Sequence, residues 1–385
     1  MPDSARPATS PRDARAAAAE TSVRGRHLRR LWAWPPARLG VITAPAPTRH
    51  RLFVDYNFWW QAHLLDCLVD AQLRQPDVDR RRLIAHLPRG LFVRNRFSVI
   101  NEYFDDIAWL GLALGRARDE AGVRLGWRDA QIAKVLFDRW YDDAAGGGIP
   151  WRVGDEFRNV PANGSMAILM ARFGRRRRAL AAVEWMYERL FDPDTGMFAD
   201  GIRPGGVDGR LFTYNQGLVL GALLELVAAG HEPSRERLHA LVATIERHCA
   251  VEGVLNGCGG GDGGLFAAIT ARYLTQVALR LPGVGAADEA ARATAARLVQ
   301  VSADAAWRHR AERDGEVWFG PDWRFPAVIP GSEGVAANAG DRSSVPPERD
   351  LSVQLGGWMI LELAARLDRL DPRSPSPERG DRMSP

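Results

Sequence analysis

Lysine is almost missing from this chain of 385 residues: Lys134 is the single one, and arginine supplies the rest of the 51 basic side chains. Such a bias reflects coding-sequence composition. The net charge of +4 is small and is not interleaved with aromatics, which argues against a nucleic-acid surface. Cysteine is scarce too. Cys67, Cys249 and Cys258 are odd in number and widely spaced, which excludes a disulfide framework and a zinc pattern and fits a reducing compartment. No cofactor and no metal are expected. No run of about 20 apolar residues is present, so no segment is expected to span a bilayer. The basic stretch Arg24 to Arg30 leads into Leu31-Trp32-Ala33-Trp34-Pro35-Pro36, which is broken where a secretory signal needs ~7–15 unbroken apolar residues. A cytoplasmic protein, monomeric and without membrane insertion, is the expectation. Alternating strand patterns are absent as well.

What is present is helix. Residues 1–22, rich in Ala, Pro, Ser and Arg, read as disordered, and residues 23–50 as a proline-broken lead-in. Apolar helices then begin near 57, 105, 163, 213, 262 and 351, most of them about 50 residues apart, a helical-hairpin period. Each neighbours a more amphipathic, Arg/Glu-rich helix, such as the one carrying the solvated run Arg175 to Arg178. The fold expected is all-α: an (α/α)6 toroid, or barrel, of six inner and about six outer helices in a single domain over residues 23–370, with one outer helix unassigned in the lead-in. Residues 371–385 read as a disordered tail.

The starts of the apolar helices carry unusual polar and aromatic residues: Trp59, Trp60 and Gln61; Asp105, Asp106 and Trp109; Asn159 and Asn163; Tyr214, Asn215 and Gln216; Asp262. The loop before the last helix adds Asp322 and Trp323. Polar groups at the ends of apolar helices are costly unless partnered, and one ligand-lined pocket at a shared mouth explains all of them together. Asp105-Asp106 is the centre of this set. Two adjacent carboxylates at a helix start, among aromatics, suit glycosidic-bond cleavage, where one donates a proton and the other attacks or activates water. Trp59 and Trp60 suit either sugar stacking or core packing. Asn163 and the Tyr214-Asn215-Gln216 set suit pocket hydrogen bonds or capping. Asp262, among glycines, allows close approach of a ligand, and Asp322-Trp323 could cover the groove. His63 reads as a satisfied helix histidine.

Six motifs in order carry a resemblance: Trp59-Trp60-Gln61-Ala62-His63, Tyr103-Phe104-Asp105-Asp106-Ile107-Ala108-Trp109, Gly147-Gly148-Ile149-Pro150-Trp151, Asn159-Val160-Pro161-Ala162-Asn163-Gly164, Thr213-Tyr214-Asn215-Gln216-Gly217 and Gly261-Asp262-Gly263-Gly264-Leu265-Phe266. Together, over about residues 50–370, the chain resembles glycoside hydrolase family 76, the endo-α-1,6-mannanases. The resemblance implies an (α/α)6 barrel and a retaining hydrolase of α-1,6-linked mannan or mannooligosaccharides, with Asp105 as nucleophile and Asp106 as acid/base. Phe104 stands where the family often has Tyr, which implies one pocket hydroxyl fewer. The alternatives are a transglycosylase on α-mannosyl glycans, a glycan-binding protein without activity and, last, a sugar epimerase, which would want histidine bases.

Overall fold

A helix that is apolar on every face can only sit inside. The computed structural model, which describes residues 10–32, 36–126, 128–140, 146–331 and 342–370, resolves where these helices go. The chain opens with α1 (Pro11–His27), strands β1 (Leu28–Arg30) and β2 (Arg38–Gly40), and the single turn α2 (Thr48–Arg51). Next come α3 (Phe58–Arg74), α4 (Val78–Arg94), α5 (Phe104–Asp119) and α6 (Arg128–Asp138). The middle holds β3 (Arg158–Asn159), α7 (Val160–Arg172), α8 (Arg176–Arg189), β4 (Phe191–Asp192), β5 (Met197–Phe198), β6 (Gly201–Arg203) and β7 (Gly206–Asp208). After these run α9 (Thr213–Ala228), α10 (Pro233–His248), β8 (Ala250–Val251), β9 (Val254–Leu255), α11 (Phe266–Arg280), α12 (Ala286–Arg308), β10 (Ala311–Arg313), β11 (Glu316–Trp318) and α13 (Leu351–Leu370).

The ring closes. Helix α3 packs on α5, α5 on α7, α7 on α9, α9 on α11, α11 on α13, and α13 back on α3. Outside them α4, α6, α8, α10 and α12 each cover the inner helix they adjoin in sequence. The sixth outer helix is α1, laid on α13. This corrects the expectation of disorder over 1–22: residues 11–22 belong to α1, while 1–9 and the tail 371–385 lie outside the described residues. Ser10 caps α1 by accepting from the Asp13 N–H at 3.1 Å, and Pro11 occupies its first turn. Ala16, Ala19 and Val23 form its buried stripe. Buried Glu20 ties α1 to the inner ring through Arg74 at 2.6 Å and to α4 through Arg80 at 2.7 Å.

Helix α4 runs to Arg94 with Pro88 inside it. Short antiparallel pairs join the helices: β1 with β2, β4 with β5, β8 with β9, β10 with β11, and β6 between β3 and β7. At two or three residues each, they are too short for an alternating pattern to register in sequence. Small residues let the inner helices approach closely: a Cβ on Gly217 of α9 would lie 2.7 Å from the Thr270 Cα of α11. Lower in the ring Arg116 of α5 and Arg272 of α11 each bridge Asp66 and Asp70 of α3, at 2.6 to 3.0 Å, all four buried. No described helix is long and apolar enough to cross a membrane.

Candidate active site

The inner helices bring their N-termini to one end of the ring, where a cleft of about 1450 Å³ opens. Asp105 and Asp106 occupy the first turn of α5, where the positive end of the helix dipole favours a carboxylate. Their partners differ. Asp105 Oδ2 accepts from the Trp151 indole N–H at 3.0 Å, and its Oδ1 accepts from the Asp106 backbone N–H at 3.0 Å. Asp106 Oδ2 accepts from the Asn101 amide at 2.6 Å. Each carboxyl keeps a face open to the cleft but lies deep within it. Burial pushes Asp105 up to about 7, with Asp262 adding to the rise and the donors from Asp106 and Trp151 opposing it. Asp106 rises well above the usual range, through burial first and then the neighbouring charge of Asp105, against the Asn101 hydrogen bond. The two titrate as a pair, and the two N–H donors on Asp105 favour the charge there over Asp106, which has one.

Of the other sequence-predicted residues, Trp59, Trp109, Asn159, Tyr214 and Asp262 line the cleft. Asn159 also caps α7, accepting from Ala162 N–H at 3.2 Å. Tyr214 stacks on Phe266, with ring centroids 3.8 Å apart and planes 9° apart. Asp262 sits in a 3-10 turn, Gly261–Leu265, ahead of α11. Asp350 holds that turn by accepting from Gly261 N–H at 2.8 Å.

The remainder do not reach the cleft. Trp60 is buried, and its indole N–H donates to Asp262 Oδ1 at 3.0 Å, so it positions a cleft residue from behind. Gln61, Asn163 and Gln216 are wholly buried and share one structural task. Each is the fourth residue of its inner helix and clamps both backbone groups of a preceding residue. Gln61 pairs with Gly40 at 2.8 and 2.9 Å, Asn163 with Ile149 at 2.8 and 2.9 Å, and Gln216 with Phe198 at 2.9 Å twice. Gln354 of α13 does the same to Phe319, at 3.3 and 2.9 Å. The clamp on Ile149 closes the glycine turn before Trp151; Gly148 has φ +93°, and a Cβ there would press to 3.1 Å from Asn163 Oδ1. Asn215 is buried and donates to Asp200 Oδ1 at 3.1 Å. Asp322 pairs with Arg324, and Trp323 is buried, with its carbonyl taken by the His309 ring at 2.7 Å; neither lines the cleft. Phe104 is also buried, so a hydroxyl there would not simply face the cleft.

Sequence reasoning passed over several cleft residues. Of the partners of the pair, Trp151 was legible only as the end of its glycine motif, and Asn101, just ahead of the Tyr103–Trp109 motif, was not singled out. Phe266, at the start of α11, lines the cleft too, and Asp200, Phe157, Phe212 and Tyr56 reach it from loops whose convergence no spacing announces. His63 is buried between Trp59 and Trp109, with centroids at 5.5 and 4.8 Å, and neither ring nitrogen has a hydrogen-bond partner. Burial drives it down to about 3, which keeps it neutral and unlike the satisfied histidine expected. Among the described residues no cluster of three His, Cys, Asp or Glu side chains is arranged to hold a metal.

The profile of glycosyl hydrolase family 76 matches residues 38–338. The chain belongs to this family. Solved structures resemble it over nearly its whole length. One is an inactive variant, with two consecutive aspartates replaced, of the α-1,6-mannanase GH76A of Salegentibacter sp. HEL1_6 in complex with α-1,6-mannotetrose. It is 24% identical, with TM-score 0.75, over 93% of this chain and 100% of that one. The Lin0763 protein from Listeria innocua, also 24% identical, gives TM-score 0.76 over 92% of this chain and 97% of that one. These likenesses establish the (α/α)6 fold. Among curated proteins, mannan endo-1,6-alpha-mannosidase DCW1 of Candida glabrata is 26% identical over 224 residues, 50% of each chain. The chain thus spans about half the length of the curated relatives it matches.

Proposed function

We propose that this family 76 protein is a retaining glycoside hydrolase that cleaves α-1,6-linked mannan or mannooligosaccharides through Asp105 and Asp106. One observation carries the reading: two adjacent carboxyls at the start of α5 have unequal partners, two N–H donors on Asp105 and one on Asp106, which favours the charge on Asp105. That asymmetry is the state a retaining glycosidase needs, one carboxylate as nucleophile and one carboxylic acid as proton donor.

In the first step an Asp105 oxygen attacks the anomeric carbon of the mannosyl unit. The bond to the leaving sugar breaks, and the Asp106 proton passes to the departing oxygen. Loss of the Asp105 charge on forming the glycosyl ester lowers the affinity of Asp106 for a proton, which suits its second task. Asp106 then takes a proton from water, the water oxygen attacks the same carbon, and the Asp105 carboxylate leaves. Trp59, Trp109 and the Tyr214–Phe266 stack supply apolar faces for sugar rings. Asp262, Asp200 and Asn159 supply acceptors for hydroxyls. A cleft lined by four further carboxylates, Asp55, Glu102, Asp200 and Asp262, and several aromatics suits a neutral polyol better than an anionic ring beside the pair.

The similar solved protein whose two consecutive aspartates were replaced to obtain an inactive sugar complex supports this choice of pair by analogy. Incubation with linear α-1,6-mannan, with products separated by chromatography, tests it: mannooligosaccharides are expected. No release by folded protein would overturn the proposed linkage, and addition of an acceptor sugar would expose transfer in place of hydrolysis.

A further inference from the structure

Beside the cleft mouth, and sharing its rim, lies a lobe whose outer face the proposed reaction does not use. It is built from residues 28–32, 48–57 and the end of α4 with the turn after it. The Trp32 indole N–H donates to Leu52 O at 3.0 Å, and the Arg94 guanidinium donates to the Phe53 and Val54 carbonyls, binding the three segments together. Large apolar side chains stand out on it: Trp32 is 57% exposed, Leu52 53%, Val54 44% and Phe97 69%. The same lobe holds five of the seven non-glycine residues with positive φ among those described: Trp32, Phe53, Asn57, Arg96 and Phe97. Such backbone is strained, and here it holds Trp32 and Phe97 largely in water, although the Trp32 indole reaches Leu52 O and the Phe97 ring meets Phe92 edge-on at 6.0 Å.

Around these side chains Arg29, Arg30, Arg51 and Arg96 are exposed. Arg29 donates only to backbone carbonyls, Gly25 O at 2.8 Å among them, and Arg51 to the Thr48 hydroxyl at 3.2 Å. The lobe's carboxylate, Asp55, is taken by Arg49 at 3.0 Å, and Glu316, near Gly25, is taken by Arg26 at 3.2 Å. The result is a cationic surface with protruding aromatic and aliphatic groups. A soluble polyanion would use the arginines but leave Leu52, Val54 and Phe97 without a role. An anionic bilayer uses both, with phosphates for the guanidiniums and the interfacial layer for Trp32 and its neighbours.

We propose that this lobe docks the protein peripherally on an anionic lipid surface. Val54, Asp55 and Arg96 also border the cleft, so docking sets the mouth beside the membrane, where it would receive glycans anchored in it. The identity of that substrate rests on the reading of the cleft as a mannosidase site; the docking does not.

The test is co-sedimentation of the full chain with vesicles, either phosphatidylcholine alone or phosphatidylcholine and phosphatidylglycerol in equal parts, at low and high salt. Binding to the anionic vesicles alone, weakened by salt, is expected. Each of Arg29→Gln, Arg30→Gln and Arg51→Gln should cost about fivefold, the change that corresponds to ~1 kcal/mol per basic residue near such a surface. Trp32→Ser with Phe97→Ser should abolish pelleting, with the helical circular dichroism and the turnover of soluble mannooligosaccharide unchanged. Because pelleting needs no turnover, an inactive but pelleting protein would sink the mannosidase reading and leave the docking. Failure to pellet, equal binding to both vesicles, capture of a soluble polyanion without vesicle binding, or a dimer abolished by the same variants would each overturn the docking.

Discussion

The indole N–H of Trp151 reaches Asp105 Oδ2 at 3.0 Å, joining two residues 46 positions apart on different segments of the cleft wall. This contact favours the ionised form of Asp105, against the burial that raises it. Trp151→Phe removes the donor and keeps much of the ring. Asp105 should then hold its proton to higher pH, moving the acid limb of the kcat/KM profile upward. A hydrogen bond to a charged group is worth roughly 1.5–3 kcal/mol, so a loss of about ten- to a hundredfold in kcat/KM is expected near neutrality. An unmoved acid limb would contradict the role.

Asp262 acts in the opposite sense. Its charge raises both members of the pair. Asp262→Asn should therefore lower both apparent pKa values, and the whole bell-shaped profile should slide toward acid. A pH–rate series on soluble mannooligosaccharide reads the shift directly; movement toward alkali would be incompatible with the electrostatics.

The pair is costly to the fold. A carboxyl whose pKa is raised on folding binds more protons in the native state than in the unfolded one, so stability falls as pH rises from the unfolded value through the folded one. For Asp105 that window runs from the ordinary carboxylate range to about 7. Asp105→Asn should raise the stability at pH 8 by an amount on the order of 1–2 kcal/mol, discounted for the open face of the carboxyl. The gain should fade below the ordinary carboxylate range, where wild type is protonated in both states. Thermal melts at the two ends of the range check the sign.

The amide clamps predict a separation of stability from binding. Asn163→Leu or Gln216→Leu strips partners from a buried N–H and a buried C=O, costing about 2–5 kcal/mol. The melting temperature should drop while KM for a mannooligosaccharide holds at temperatures where the variant is folded. A large rise in KM without loss of stability would return these residues to the cleft.

Glu20 offers a test of the closing helix. It is buried and held by Arg74 and Arg80. Glu20→Ala leaves two buried guanidiniums short of a partner, a change that costs about 3–5 kcal/mol in comparable sites. Chemical denaturation should show a lower midpoint; an unchanged one would mean that α1 contributes little to the ring.

These residues also show what the sequence could and could not reveal. The inner helices were legible because burial on all faces leaves no polar stripe, and α3, α5, α9 and α13 begin within a residue or so of the starts expected near 57, 105, 213 and 351. Helix α1 was not, because its buried stripe is Ala16, Ala19 and Val23, small residues in an Ala/Arg-rich stretch that composition alone reads as disorder. The pair Asp105-Asp106 was legible from its position, as were Trp59, Trp109, Asn159, Tyr214 and Asp262. Gln61, Asn163 and Gln216 were misplaced for a specific reason. A polar residue in the first turns of an inner helix can face the cleft or the loop behind it, and one residue of helical rotation separates the two. Trp151 was passed over because a loop's return to the site from 46 positions away depends on tertiary packing; Asn101 is only five residues from Asp106, but its side-chain direction is set by the turn ahead of α5.

The most direct measurement is proton NMR of the first product formed from α-1,6-mannotetraose, with Asp105→Asn and Asp106→Asn run beside wild type at matched fold. The account predicts that the α-anomer appears before mutarotation and that each variant loses at least about a thousandfold in turnover. First appearance of the β-anomer, or near-full activity in either variant, would contradict it.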